Sequence, residues 1–182
     1  MKELSLHALD IIQNSIAAKA TRLDLLLEES GPILTLTLTD NGCGMSPELL
    51  ARAGDPFTTT RTTRKMGLGL PLLRLSAEMT GGSLSIDSRE GIGTRVTAAF
   101  RSDHIDCLPL GDMAATLALT IQGAPEVDLL YIHRKDGREF RLDTRQLRRE
   151  LGAEVSLAEP EVILWIQDYI REQEEALSAS SI

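Results

Sequence analysis

The sequence predicts an α+β fold in which a layer of about four β-strands carries three helices and is followed by a smaller α+β unit. Leucine occupies every second position in 23–27 and again in 34–38, which is typical of half-buried strands. Apolar residues recur at helical spacing in Leu4–Ala18, which indicates a largely buried helix. A chain of 182 residues is long enough for one full domain and an appendage.

Caps and turns predict the other elements of the first hundred residues. Glycine ends helices readily, and serine is a favoured N-cap. The predicted elements are a short helix capped by Ser46 and ending near Gly54, a helix over Gly69–Thr80, and two strands over Ser83–Ser88 and Thr94–Phe100.

A connector over Arg101–Leu110 divides a first domain, residues 1–101, from a small C-terminal unit, residues 102–182. The unit is predicted to contain a helix capped by Asp112, a hairpin over Val127–Leu142, a helix with a capping box of Asp143 and Gln146, and an amphipathic helix over Pro160–Ala176. The hairpin could extend the sheet of the first domain. One face of the last helix, with Trp165, Ile166, Tyr169 and Ile170, is expected to pack internally rather than on a partner.

Composition favours a cytoplasmic protein. The chain is 42% hydrophobic and 25% charged, and it has neither an apolar run of membrane-spanning length nor a signal-peptide pattern at its N-terminus. Cys43 and Cys107 lack metal-ligand spacing, as expected in a reducing compartment. The net charge of −8 argues against broad nucleic-acid binding. In the basic run Arg145–Arg149, Arg148 and Arg149 are expected to form a solvated helix face rather than a binding patch.

A polar stripe runs along the otherwise apolar first helix. Glu3, His7, Asp10 and Asn14 follow the spacing that stacks side chains on one face. Such a stripe indicates that the helix borders a cleft, with His7 buried or at the cleft edge.

Three glycine-containing segments accompany this stripe: Asp40–Met45, Gly67–Leu70 and Gly91–Thr94. Each alone is weak evidence, since a tight turn explains it equally well. Together with Asp10–Ser15 they resemble the N box and the three G boxes of the GHKL superfamily, which unites gyrase-type, chaperone, mismatch-repair and histidine-kinase ATP-binding domains. Pro56–Thr60 resembles the phenylalanine segment of many histidine kinases. The resemblance covers about residues 4–100 and implies a Bergerat-type ATP-binding α/β sandwich, in which a mixed, mostly antiparallel sheet carries helices on one face.

The resemblance implies ATP and Mg²⁺ as ligands and assigns roles residue by residue. Asp40 would accept from the amino group of adenine, Asn14 would hold Mg²⁺, and the backbone around Gly69 would cradle phosphate at a helix N-terminus. Gly42 and Gly44 would let the backbone approach the base. The residues expected to bind nucleotide are Asn14, Asp40, Gly42, Gly44, Met45, Phe57, Arg61, Lys65, Gly67, Leu68, Gly69, Leu70 and Thr94, and Arg64 lies with two of them in the segment that corresponds to the ATP lid.

The sequence departs from the family pattern at the catalytic position. Hydrolysing relatives have glutamate four residues before the asparagine, whereas this chain has the shorter Asp10. Asp10 is therefore either a general base or a group that orients Mg²⁺. Lys65 replaces the first glycine of the second G box, and no histidine-bearing dimerisation helix precedes the N box, so a complete two-component sensor is not expected.

These features leave three functions open. The first is an ATP-binding regulatory protein that phosphorylates a partner protein, as anti-sigma-type kinases do, or changes partner affinity with nucleotide. The second is a slow Mg-dependent ATPase with ATP-driven closure or dimerisation, and the third is a non-catalytic nucleotide sensor. The C-terminal unit resembles small stand-alone ATP-binding proteins that accompany iron hydrogenase components, which suggests a redox- or hydrogenase-related protein partner.

Overall fold

A computed structural model describes residues 2–53, 55 and 69–179 and shows one mixed sheet of six strands, in the order β3-β4-β2-β1-β5-β6. The first-domain elements are α1 (Leu4–Ala17), β1 (Arg22–Ser30), β2 (Ile33–Asp40), α2 (Pro47–Arg52), α3 (Gly69–Met79), β3 (Ser83–Arg89) and β4 (Gly93–Arg101). The later elements are α4 (Met113–Gly123), β5 (Asp128–Lys135), β6 (Arg138–Asp143), α5 (Thr144–Leu151) and α6 (Pro160–Ser178).

The alternation of leucines places one face of the sheet in the core. Leu25 of β1 and Leu36 of β2 are almost wholly buried, as are Ala8 and Ile12 on the facing side of α1. Helices α1, α3, α4 and α6 contact one another or this face, and one apolar cluster runs from Leu4 to Leu177. The predicted α+β fold is confirmed. Within the described ranges, no helix combines the length and apolarity needed to cross a bilayer.

The C-terminal hairpin joins the first sheet through a parallel pairing. β5 lies beside β1, from Arg22 opposite Asp128 to Glu29 opposite Lys135, whereas the other four strand pairs are antiparallel. The hairpin therefore extends the sheet that bears the glycine-containing loops. The division of the chain after residue 101 stays a prediction.

Two details of α5 differ from expectation. Arg148 does not belong to a solvated face, because its guanidinium donates to Asp128 and to the carbonyl oxygens of Pro125 and Val127. Asp143 caps α5 as predicted, but Gln146 donates to Glu150 instead of completing a capping box.

The apolar face of α6 is only partly internal. Ile166 and Ile170 are fully buried, as expected, whereas Trp165 is 52% exposed and stacks on Tyr169 with ring centroids 5.4 Å apart. The interpretation of this face as internal packing therefore holds for the two isoleucines and fails for Trp165.

A buried polar cluster ties α6 to the sheet. His133 of β5 is fully buried, with Nδ1 2.7 Å from Glu174 of α6 and Nε2 2.9 Å from Glu29 of β1. The Tyr131 hydroxyl also donates to Glu174, at 2.8 Å. Burial alone lowers the pKa of His133, but the bonds to Glu174 and Glu29 outweigh it and hold the pKa above its ordinary value. The carboxylates of Glu174 and Glu29 therefore favour the protonated form of His133.

Candidate functional site

Three polar side chains form a row across one end of the sheet. Asp40 of β2 is opposite Thr94 of β4, and Thr94 is opposite Ser88 of β3. In each strand, this side chain lies on the same face as the buried residues at every second position. The row therefore lies on the face of the sheet that bears the helices. The row borders an open cleft of about 390 Å³, which Leu50 of α2 and Ile92 also line. No described residue of α1 or α3 lines this cleft.

The Asp40 carboxylate is held by three hydrogen-bond donors. Oδ1 accepts from the backbone N–H of Gly42 at 2.8 Å and from that of Thr94 at 3.2 Å. Oδ2 accepts from the Ser15 hydroxyl of α1 at 2.5 Å. Because a carboxylate has about four lone-pair sites, this arrangement fixes the orientation of Asp40 and leaves about one acceptor position for a ligand.

The loop after Asp40 is tied on both sides. Cys43 donates its N–H to the carbonyl of Ala18, at the end of α1, and its own carbonyl accepts from Gly91 in the β3–β4 turn, both at 2.8 Å. Met45 donates its N–H to the Ser88 hydroxyl at 2.9 Å. The first and third glycine-containing segments are therefore in direct contact.

Close contacts within the protein explain why two positions of this loop are glycine. A Cβ on Gly42 would lie 2.8 Å from the carbonyl oxygen of Ala18, and one on Gly44 would lie 2.0 Å from that of Arg89. Gly44 also has a φ of +66°, which side-chain-bearing residues rarely adopt. Close packing of the protein's own backbone accounts for both glycines, and their expected approach to a base stays a prediction.

Helices α1 and α3 meet where the expected phosphate site begins. A Cβ on Gly69, the first residue of α3, would lie 3.3 Å from Oδ2 of Asp10. Asn14 follows Asp10 by one turn on α1 and is half-buried. Leu70 is buried in the core, so any contact that it makes with a ligand comes from its backbone.

His7 joins the same two helices one turn earlier. It is buried, as expected, and its Nε2 lies 3.1 Å from the Ser76 hydroxyl of α3. Burial lowers the pKa of His7, and the charge of Asp10 opposes this only in part. A neutral His7 therefore holds α1 against α3 beside Asp10.

Several predicted site residues lie outside the part of the chain that the structure describes. These are Phe57, Arg61, Arg64, Lys65, Gly67 and Leu68. Their proposed roles stay predictions.

Sequence reasoning missed two residues of the site, Ser15 and Ser88. Each breaks an apolar pattern: Ser15 follows Ala8, Ile11 and Ile12 on the buried side of α1, and Ser88 follows Leu84 and Ile86 on the inward side of β3. A lone serine at an inward position is the signal that could have identified both, since a buried hydroxyl needs a hydrogen-bond partner.

Comparison with known families identifies the first hundred residues. The family described as "Histidine kinase-, DNA gyrase B-, and HSP90-like ATPase" matches residues 1–104, which is more than half of the chain. The chain belongs to this family. Membership implies ATP binding, and the mixed six-stranded sheet is consistent with the GHKL fold.

Two relatives of the chain are sensor or histidine kinases. The chain is 30% identical over 86 residues to a probable C4-dicarboxylate sensor kinase of Bacillus subtilis, covering 47% of this chain and 16% of that one. It is 41% identical over 69 residues to the histidine protein kinase DivJ of Caulobacter vibrioides, covering 36% and 12%. The chain thus spans less than a fifth of either relative.

A solved structure supports the fold beyond the family match. The N-terminal domain of a DNA repair protein superimposes with a TM-score of 0.56 over 84% of this chain and 58% of its own, at 16% identity. At that identity the likeness concerns the fold alone.

Proposed function

We propose that this chain binds MgATP between α1, the end of β2 and α3, and uses the nucleotide to regulate a partner protein, as a protein kinase or as a nucleotide-dependent switch. One observation carries the proposal: Asp40 is held by Ser15, Gly42 and Thr94, which leaves about one of its acceptor positions unoccupied. The similarity to sensor kinases supports the regulatory part.

The remaining acceptor position suits adenine. An ionised carboxylate only accepts hydrogen bonds, and the amino group of adenine donates them. A purine with a carbonyl at the same position would bring lone pairs against the carboxylate and leave a polar group unpaired, which sites of this kind reject strongly. Asp40 would therefore select ATP over GTP.

The other end of the site suits phosphates and Mg²⁺. The first N–H groups of α3 and its positive dipole end favour phosphate oxygens. Among the described residues, no group of three or more His, Cys, Asp or Glu side chains could hold a metal by itself. Mg²⁺ would be held by the amide oxygen of Asn14 together with oxygens of the nucleotide, which are the hard donors that it prefers.

Asp10 gives a specific reason to test ATP hydrolysis as the second function. Its carboxylate lies against the first residue of α3, where a terminal phosphate would be bound. A carboxylate in that place either activates water or orients the metal ion. The first role makes the chain a slow ATPase, and the second suits transfer of phosphate to a protein.

Calorimetric titration with MgATP tests the nucleotide site. Asp40→Asn should weaken binding by about 10- to 100-fold, because a hydrogen bond to a charged group contributes ~1.5–3 kcal/mol. The matched control is Asp24→Asn on β1, whose carboxylate pairs with Arg22 and is 39% exposed. Equal affinities in wild type, Asp40→Asn and the control would refute the site.

Incubation with γ-labelled MgATP separates the regulatory modes. Free phosphate that disappears in Asp10→Asn supports the ATPase. Label transferred to another polypeptide from added cell extract supports the kinase, and tight binding with neither product supports a switch or sensor.

A further inference from the structure

The Ser88 hydroxyl lies at the centre of the hydrogen bonds beside Asp40. Its oxygen is 2.9 Å from the N–H nitrogen of Met45, 3.1 Å from the carbonyl oxygen of Gly93 and 2.8 Å from the hydroxyl oxygen of Thr94. Ser88 thus links the loop after β2 to the first two residues of β4.

Counting protons assigns a direction to each of these bonds. A serine hydroxyl has one proton and two lone pairs. The Gly93 carbonyl can only accept, so it takes the Ser88 proton, and the Met45 N–H can only donate. The one assignment that makes all three contacts hydrogen bonds therefore has the Thr94 hydroxyl donating to the remaining lone pair of Ser88.

This direction leaves Thr94 without a proton for a ligand. Its hydroxyl proton goes to Ser88, and its backbone N–H goes to Oδ1 of Asp40. What Thr94 offers to the cleft is therefore the lone pairs of its oxygen. Within the row of Asp40, Thr94 and Ser88, the positions left for a ligand are acceptors, one from Asp40 and others from Thr94.

We infer that Ser88 is a positioning residue that fixes the Thr94 hydroxyl as an acceptor and thereby sharpens the choice of a 6-aminopurine over a 6-oxopurine. The inference rests on the proposed ATP site. The amino group of adenine has two protons for the two acceptors, whereas a 6-carbonyl meets them with lone pairs. Without Ser88, the Thr94 hydroxyl can rotate and donate to that carbonyl.

The test compares binding of MgATP and MgITP, whose base carries the 6-carbonyl, by calorimetry. In Ser88→Ala and in the similarly sized Ser88→Cys, the ratio of ATP to ITP affinity should fall by about three- to tenfold, the range of one hydrogen bond. Ser88→Thr retains a hydroxyl and should keep the wild-type ratio. Ser85→Ala is the matched control, because Ser85 is exposed on the other face of β3.

The outcomes separate this inference from the function on which it rests. A ratio that stays constant overturns the inference, whether both affinities fall together or neither changes, because Ser88 then only supports the loop. If wild type binds neither nucleotide, the proposed ATP site itself is refuted. If Ser88→Ala does not fold, the ratio in Ser88→Cys decides.

Discussion

Replacing Glu174 by glutamine should destabilise the fold through His133. The amide oxygen of glutamine can still accept from Tyr131, but its charge is gone, so a protonated His133 keeps only Glu29 as a counterion. Removing one partner of a buried ion pair costs about 3–5 kcal/mol. Because the Glu174 and Glu29 side chains are 15% and 24% exposed, solvent reduces this to roughly 2–3 kcal/mol.

Thermal unfolding followed by circular dichroism measures the effect. In a chain of this length each kcal/mol shifts Tm by about 2–4 °C, so the Tm of Glu174→Gln should fall by roughly 4–12 °C. Glu172→Gln is the matched control, since Glu172 is exposed on the same helix. The two variants should differ clearly.

The same variant should change how stability depends on pH. The pKa of His133 in the folded protein lies above its ordinary value of 6.5. Its contribution is therefore fully present below pH 6.5 and is lost as pH rises through the raised pKa. Glu174→Gln should lose less stability over that interval than wild type does. A Tm equal to that of Glu172→Gln, with an unchanged pH profile, would refute the reasoning.

Three further predictions follow from the site. Gly44→Ala and Gly91→Ala share a positive φ, but of the two only Gly44 has backbone within 4 Å of a new Cβ. Gly44→Ala should therefore lose about 1–3 kcal/mol more in urea unfolding, and equal losses would contradict the packing argument. Ser15→Ala removes one donor that fixes Asp40 and should weaken MgATP binding by about three- to tenfold in calorimetry, whereas unchanged affinity would show that this donor is dispensable. Burial holds the pKa of His7 below 6.5, so the contribution of neutral His7 to stability is present above pH 6.5 and lost as pH falls. His7→Gln should therefore lose less stability than wild type between pH 7 and 5. Urea midpoints that change in parallel in the two proteins would contradict this.

Local patterns in the sequence predicted most of the fold. The leucine alternation located β1 and β2, and the cap at Ser46 located α2, because these signals depend on neighbours within a few residues. The parallel pairing of β1 with β5 had no such signal. About a hundred residues separate the two strands, and no sequence pattern in either strand indicates that they pair.

The site was predictable in part for the same reason. Asp40 and Asn14 stand within motifs, but the donors that orient Asp40 come from α1, from the following loop and from β4. Their convergence is a property of the folded chain. For Gly42 and Gly44, the motif indicated approach to a ligand, which stays a prediction. The structure adds close contacts with Ala18 and Arg89 that the motif did not indicate.

The place of β1 in the middle of the sheet has a practical consequence for anyone preparing the ATP-binding part alone. A fragment that stops at residue 101 would lack β5. Eight residues of β1 would then lose their partners in β5, and β1 would become an exposed edge strand. Unpaired strands of this length recruit other chains and promote aggregation. Expression trials should therefore retain the sequence through β6 and α6. Poor solubility of a shorter fragment would then result from the loss of β5 beside β1 rather than from a defective nucleotide site.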